Sequence, residues 1–309
     1  MKKIIAIVGP TASGKTKVAV DFALNIKSEI ISGDSRQVYR GMDLGTGKDI
    51  EEYSVNGIKI PYHLIDIVDA GYKYSIFEYQ RDFFKVYNSI AQQNKIPILC
   101  GGSGLYVQSV TQEYNLLSVP PNISLQEELE TKSLHELSLI LKTYKKLHNN
   151  SDIETRRRAI RAIEIADFQL NNKQESINHP QLDTVYIGID ISRELRREKI
   201  SKRLKERLNT GMIAEVEQLL EKISPDDLIY YGLEYKYLTL HVLGKLSYDE
   251  MYRQLEIAIH QFAKRQMTWY RGMERKGIKI HWLSSTLSVQ NKNELISEII
   301  SNQNNFIKN

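Results

Sequence analysis

The richest run of chemistry in this chain is Gly9-Pro10-Thr11-Ala12-Ser13-Gly14-Lys15-Thr16, which satisfies the spacing G-x-x-x-x-G-K-[ST]. The glycines let backbone N–H groups turn toward phosphate oxygens, Lys15 adds a full positive charge, and the Thr16 hydroxyl suits Mg2+. A phosphate or diphosphate is expected to bind here. The loop alone does not choose the reaction, because kinases, ATPases, GTPases and some group transferases all use it. Three other clusters can take part. Asp34-Ser35-Arg36-Gln37 follows a short apolar run, where a carboxylate either acts on a substrate or holds a turn. Asp66 closes Tyr62-His63-Leu64-Ile65 in the manner of a Walker B strand, a rival for Mg2+ binding in a pattern that is common by chance. Gly101-Gly102-Ser103-Gly104 is either a second close approach to an anion or an ordinary strand-to-helix turn.

These clusters need elements that hold them at one edge. Apolar runs of strand length precede them at Ile4–Val8, Glu29–Gly33, Tyr62–Asp66 and Ile96–Cys100, with further strand patterns at Thr184–Asp190 and, as an edge strand, Ile278–Leu283. Helical periodicity follows the phosphate loop (Val18, Phe22, Ile26) and the capping box Ser75-Ile76-Phe77-Glu78 (Phe83, Phe84, Tyr87, Ile90). The expected class is therefore α/β, with polar residues released at the C-terminal edge of an open sheet. Between Tyr114 and Pro180 no strand pattern appears. Helical patterning runs from Pro120-Pro121 to Leu147, breaks at Asn149-Asn150, and resumes after a second capping box, Ser151-Asp152-Ile153-Glu154. This divides the chain into a discontinuous core, 1–111 with 184–309, and an all-helical insert, 112–183, of about 70 residues.

The 309 residues are 41% hydrophobic and 26% charged, with a net charge of +4. That composition is ordinary for a soluble globular chain and permits an anionic partner without requiring one. Cys100 is the only cysteine, which excludes an internal disulfide and a cysteine-based zinc site and fits a reducing, cytoplasmic setting. The apolar run after Lys2-Lys3 stops at Gly9, short of a secretion signal, and no stretch reaches membrane-spanning length.

Basic residues cluster on particular helical faces. On the helix expected from Ser192 to Asn209, Arg196, Lys199, Arg203 and Arg207 fall within about 80° of one another, beside the apolar stripe Ile200, Leu204, Leu208. A long helix capped by Ser247-Tyr248-Asp249-Glu250 runs to about Arg271, with Met251, Leu255, Ile259, Phe262 and Met267 as core positions and His260, Lys264, Arg271 and Arg275 on another stripe. Together with Arg156, Arg157, Arg158 and Arg161 they suit a groove that tracks a nucleic-acid backbone, although solvated charged faces look the same. Trp269 and the tyrosines at 230, 231, 235 and 237 can stack on bases or fill a core. The Asn-rich end after Ser301 is expected to fray.

Taken in order, the phosphate loop, the block from Asp34 to Thr46, His63-Leu64-Ile65-Asp66, Gly101 to Tyr106, Arg161-Ala162-Ile163-Glu164 and Ala263 to Trp269 resemble the tRNA dimethylallyltransferase (tRNA isopentenylpyrophosphate transferase) family. The resemblance implies a P-loop NTPase-like core with a helical insert that helps grip RNA. It implies transfer of a dimethylallyl group from dimethylallyl diphosphate to the exocyclic amine of an adenosine beside the anticodon in tRNA, with Mg2+ as cofactor and no membrane partner. By position, Asp34 would be the base or orienting group on that amine, and Lys15, Thr16 and Arg203 would bind the diphosphate. Ser35, Arg36, Gln37, Ser103, Arg158, Arg161 and Lys264 would meet tRNA, and a monomer is expected. Competing readings are prenylation of free adenine nucleotides, a kinase or ATPase that would use Asp66, and a binding-only relative. Departures from the family pattern fall at Gly45-Thr46-Gly47-Lys48-Asp49, where Gly-Thr-Ala-Lys-Pro is common, at Gly232-Leu233-Glu234-Tyr235-Lys236, where Gly-Tyr is usual, and at His260, where arginine is usual.

Overall fold

The computed structural model describes residues 2–114, 116–146, 151–172 and 179–303. They form two compact units, one comprising 1–113 with 180–309 and the other spanning Tyr114–His179.

The larger unit is built on a six-stranded parallel sheet in the order Ile280–Ser284, Asp183–Asp190, Lys3–Val8, Ile98–Gly101, Ile30–Ser32, Tyr62–His63. Lys3–Val8 is central because it is apolar on both faces. Ile4, Ala6 and Val8 pack with Phe83 and Tyr87 of the helix Ile76–Ala91, while Ile5 and Ile7 pack with Val18 and Phe22 of the helix Lys15–Ile26 and with Ile296. A parallel strand covered by helices on both sides reads as a continuous hydrophobic run for this reason. Strands later in the chain pair with it on either side, which makes its C-terminal end a switch point where an open α/β sheet leaves a crevice. The phosphate loop occupies that end.

The smaller unit has helices Ile123–Glu130, Leu134–Tyr144 and Arg156–Asn171 around its own core of Leu129, Leu137, Leu141, Ala159 and Ile163. Buried Glu164 accepts from Asn122 N (2.9 Å) and Gln126 Nε2 (2.8 Å), fixing the start of the first of these helices.

Several sequence expectations change. The strand Tyr62–His63 ends early: Leu64 (φ 61°) and Asp66 (φ 55°) turn left-handed, so Asp66 does not stand at a strand end as a Walker B residue would. His63 instead pairs with Glu29 at 2.8 Å. Ser151-Asp152-Ile153 is a single 3-10 turn, and the following helix is capped by Thr155, which accepts from Arg158 N at 3.3 Å. The long helix runs from Tyr248 to Arg275, four residues past the expected end. Phe262 is exposed rather than in the core; Ala258, Ala263, Gln266, Tyr270 and Met273 face inward instead. Leu147, Asn149-Asn150 and most of the Asn-rich end lie outside the described residues. Among the described residues, no helix is long and apolar enough to cross a membrane.

Candidate active site

The loop from Gly9 to Thr16 turns on two glycines for different reasons. A Cβ on Gly9 would stand 3.0 Å from Ser13 Oγ and 3.2 Å from Ile189 O, whereas Gly14 has open space but a φ of 82°. Ser13 N closes the turn on Pro10 O at 3.3 Å, and Ala12 also takes a left-handed φ of 61°. Ser13 Oγ is buried with no hydrogen-bond partner, so one hydroxyl inside the loop is available to an anion. Lys15 Nζ donates to the Pro10 carbonyl at 3.4 Å. Gln266, buried on the long helix, straddles the loop and its neighbour. Its Oε1 accepts from Thr11 N at 2.8 Å, and its Nε2 donates to Gly102 O at 2.9 Å.

Asp34 reaches this edge from the strand Ile30–Ser32. The two strand ends touch through backbone: Gly33 N donates to Cys100 O at 2.7 Å, and a Cβ on Gly101 would meet Gly33 O at 2.3 Å. Asp34 Oδ1 accepts from Arg36 N at 2.9 Å, forming the turn that the sequence allowed. Its second oxygen remains for chemistry. Burial draws the Lys15 ammonium below its ordinary pKa, and the negative charge of Asp34 acts against that fall, as one expects of close neighbours. Ser35 N donates to Ser103 Oγ at 3.2 Å, so those two residues meet at the same edge. Gln37 spends its amide on Ser32 Oγ (3.0 Å) and Gly47 O (3.1 Å), while the Arg36 guanidinium lies over the Tyr230 ring at 5.5 Å.

Arg203 comes to the loop from the helix Arg193–Asn209 and donates to Thr11 Oγ1. Burial, then the neighbouring Arg207, pull its pKa down to about 10. Arg207 is held by Asp49, its Nη2 lying 2.9 and 3.0 Å from the two carboxylate oxygens. This explains two departures from the family pattern together. A Cβ on Gly47 would stand 2.5 Å from the Arg207 guanidinium, and Asp49 supplies the counter-charge. The segment 41–48 is pinned in two further ways. Glu215 accepts from Asp43 N, Leu44 N and Gly45 N at 2.9, 2.7 and 3.1 Å, and from Tyr235 OH at 2.6 Å. Buried Lys48 donates to Tyr39 O, to Asp43 at 2.6 Å and to Asp66. Asp66 is thus engaged in an ion pair. Tyr235, in the second departing segment, lies against Gly45, where a Cβ would meet its ring at 2.7 Å.

The donors suit Mg2+ carried on a diphosphate rather than in a protein cage. Among the described residues no three His, Cys, Asp or Glu side chains converge on one point. Mg2+ ordinarily keeps several waters and takes one or two protein oxygens plus phosphate oxygens, and the Thr16 hydroxyl is one such oxygen. Cys100 is no nucleophile here, because burial pushes its thiol up to about 12.

The remaining sequence candidates lie elsewhere. Lys264 is exposed on the long helix and lines a cavity with His260, Arg196 and Arg271. Arg158 and Arg161 belong to the smaller unit, where Arg158 pairs with Glu154 and Arg161 donates to Val119 O at 2.8 Å and to Glu164 at 3.3 Å. Sequence reasoning gave no role to Gln266, Glu215, Lys48 or Asp49. Gln266 stood inside a quoted motif; Glu215 carried no local signal at all.

Comparison with known proteins bears on this arrangement. A model of the family described as IPP transferase matches residues 37–273. A tRNA dimethylallyltransferase 2 of Phocaeicola vulgatus is 60% identical over 302 residues, covering 97% of this chain and 98% of the relative. One of Bacteroides fragilis is 59% identical over 296 residues, covering 96% and 97%. The crystal structure of the tRNA isopentenylpyrophosphate transferase of Bacillus halodurans is similar with a TM-score of 0.72 at 30% identity, covering 98% of this chain and 96% of that one. A eukaryotic dimethylallyltransferase shares the fold, with a TM-score of 0.78 at 22% identity over 98% of this chain and 80% of that one.

Proposed function

The chain belongs to the tRNA dimethylallyltransferase family, and from that premise we propose how its own residues carry out the reaction. The enzyme moves a dimethylallyl group from its diphosphate to an adenosine amine of tRNA; the base is the one 3′-adjacent to the anticodon, in the anticodon arm. The carrying observation is that Arg203, from the helix Arg193–Asn209, meets the phosphate loop at Thr11, and that the loop's own Lys15 feels the charges of Arg203 and Asp34.

An allylic carbon departs with little help from the nucleophile, so the main cost is charge gathering on the diphosphate oxygen as the C–O bond breaks. Lys15, Arg203, Ser13 Oγ and the loop amides would receive it. Thr16 would hold the Mg2+ that accompanies the diphosphate, and that ion would supply further neutralisation of the oxygen charge. The adenine amine then forms the C–N bond and loses one proton. The free oxygen of Asp34 accepts it, a contribution of about 10²- to 10⁴-fold. Ser35, Arg36, Gln37 and Ser103 frame the base, which must leave its stack to reach a recessed site. Gln37 and Ser103 act by fixing the frame, since their side chains are already engaged. Arg158, Arg161 and Lys264 serve the RNA backbone. The insert would grip RNA, and the protein would work as a monomer in the cytoplasm.

The test is incubation with dimethylallyl diphosphate, Mg2+ and unmodified tRNA, followed by mass analysis of the nucleosides. One dimethylallyl group on an adenosine of the anticodon loop is expected. Equal transfer to free AMP, or phosphate release from ATP without transfer, would overturn the reading.

A further inference from the structure

The turn Asp43-Leu44-Gly45 presents three successive backbone N–H groups to one carboxylate, and a concave row of donors of this kind requires an acceptor. Glu215 supplies it from the helix Met212–Leu220, which buried Met212 and Val216 anchor. Its Oε2 accepts from Asp43 N and Leu44 N, and its Oε1 from Gly45 N and Tyr235 OH. Those donors occupy the roughly four lone-pair sites of an ionised carboxylate. Glu215 keeps none for a substrate or a metal, so its part in the reaction is exercised through the turn. From the turn, hydrogen bonds run on to Asp34. Asp43 O accepts from Gly47 N at 2.9 Å and from Lys48 N at 3.3 Å, which turns Gly47 O toward Gln37. Gln37 Nε2 donates to Gly47 O at 3.1 Å, Gln37 Oε1 accepts from Ser32 Oγ at 3.0 Å, and Ser32 Oγ accepts in turn from Asp34 N at 3.3 Å. The phosphate loop has other supports: Gln266 and Arg203 both meet it at Thr11 and share none of these bonds.

Resting on the transfer reaction proposed above, we propose that Glu215, seated by Tyr235, is a positioning residue for the acceptor half of the active site, setting Gln37 and Asp34 against the adenine amine and leaving the diphosphate half alone. Tyr235 lies in a segment that departs from the family pattern, and its ring is so close to Gly45 that a Cβ there would stand 2.7 Å away. The carboxylate is thus held from the side opposite the turn by a residue particular to this chain. Displacing a reacting group by about 1 Å can cost about 10²-fold in rate, so loosening the turn belongs in the transfer step rather than in diphosphate binding. Gln in place of Glu215 keeps the shape and makes one oxygen a donor. Two of the N–H and O–H groups around it then face another donor and lose their acceptor.

The experiment compares the full chain with Glu215→Gln, Tyr235→Phe and Gln37→Leu. Single-turnover transfer from dimethylallyl diphosphate to a saturating anticodon stem-loop RNA is measured beside calorimetric affinity for inorganic diphosphate. Glu215→Gln should slow transfer about 10²-fold with diphosphate affinity unchanged. Tyr235→Phe removes one donor and keeps the three backbone ones, so it should slow transfer by less than about tenfold. Because Glu215 acts through Gln37, the Glu215→Gln, Gln37→Leu double variant should be within about twofold of the slower single variant. In amide NMR spectra of the free protein, the Gln37 side-chain and Asp34 backbone resonances should move in Glu215→Gln while those of Gly14 and Lys15 stay, a pattern that general destabilisation would not confine to one half. Diphosphate affinity that falls in step with transfer, multiplicative losses in the double variant, or unmoved Gln37 and Asp34 resonances would each overturn the proposal. A parent chain that transfers nothing to RNA would instead overturn the reaction, and the spectra would still decide whether Glu215 positions Asp34.

Discussion

At the scale of single residues, Asp34 holds a turn and is proposed to take a proton, two duties that substitution can separate. Asn retains the oxygen that accepts from Arg36 N but cannot take a proton from an amine. Asp34→Asn should therefore leave the thermal midpoint unchanged and cut the single-turnover transfer rate by about 10²- to 10⁴-fold. A variant as fast as the parent would remove Asp34 from the chemistry. Arg203 offers a second test through pH. Burial and Arg207 draw it down to about 10, and a diphosphate needs the charged form, so affinity for inorganic diphosphate should fall as pH rises through that value. Lys15, drawn down by burial, adds a loss of the same sign. Calorimetry on Arg203→Gln should keep only the Lys15 part; an alkaline loss identical to the parent's would sink the assignment. Local spacing made Lys15 and Thr16 legible because a phosphate loop is a motif of consecutive residues. Asp34 was legible as a position but not as a role, since a turn aspartate and a catalytic one have the same neighbours in sequence.

At the scale of elements, most strands and helices followed their periodicity, and what chiefly escaped the sequence was the contact between distant segments. Gln266 meets Thr11 across 255 residues and Glu215 meets Leu44 across 171, so no window of sequence contains either pair. Phe262 misled because a large apolar residue at helical spacing resembles a core position, whereas small Ala263 is what the packed helix face admits. The departures at Gly47 and Asp49 became intelligible only with Arg207 beside them. Gly47→Ala must both hold φ at 67° and displace the Arg207 guanidinium. The backbone part costs about 1–2 kcal/mol. Only the displacement should vanish in an Arg207→Ala background, so a double-mutant cycle read by denaturant unfolding should give a coupling of about 0.5–3 kcal/mol. Additive losses would mean that glycine is required there by backbone alone.

At the scale of the whole molecule, the two units have separate cores, and this sets how damage should spread. Leu137 is fully buried among Leu129, Leu141 and Ile163. Leu137→Ala should cost about 2–5 kcal/mol of that unit's stability through lost transfer energy and the cavity left behind. The phosphate loop draws its support from Gln266, Arg203 and the strand Lys3–Val8, all in the larger unit. If the insert grips RNA, the two activities should part. The variant's affinity for an anticodon stem-loop should drop well before its calorimetric affinity for inorganic diphosphate changes, and warming should widen the gap as the smaller unit opens first. Parallel loss of both affinities along the temperature axis would show one cooperative body, and would remove the insert's separate role in holding tRNA.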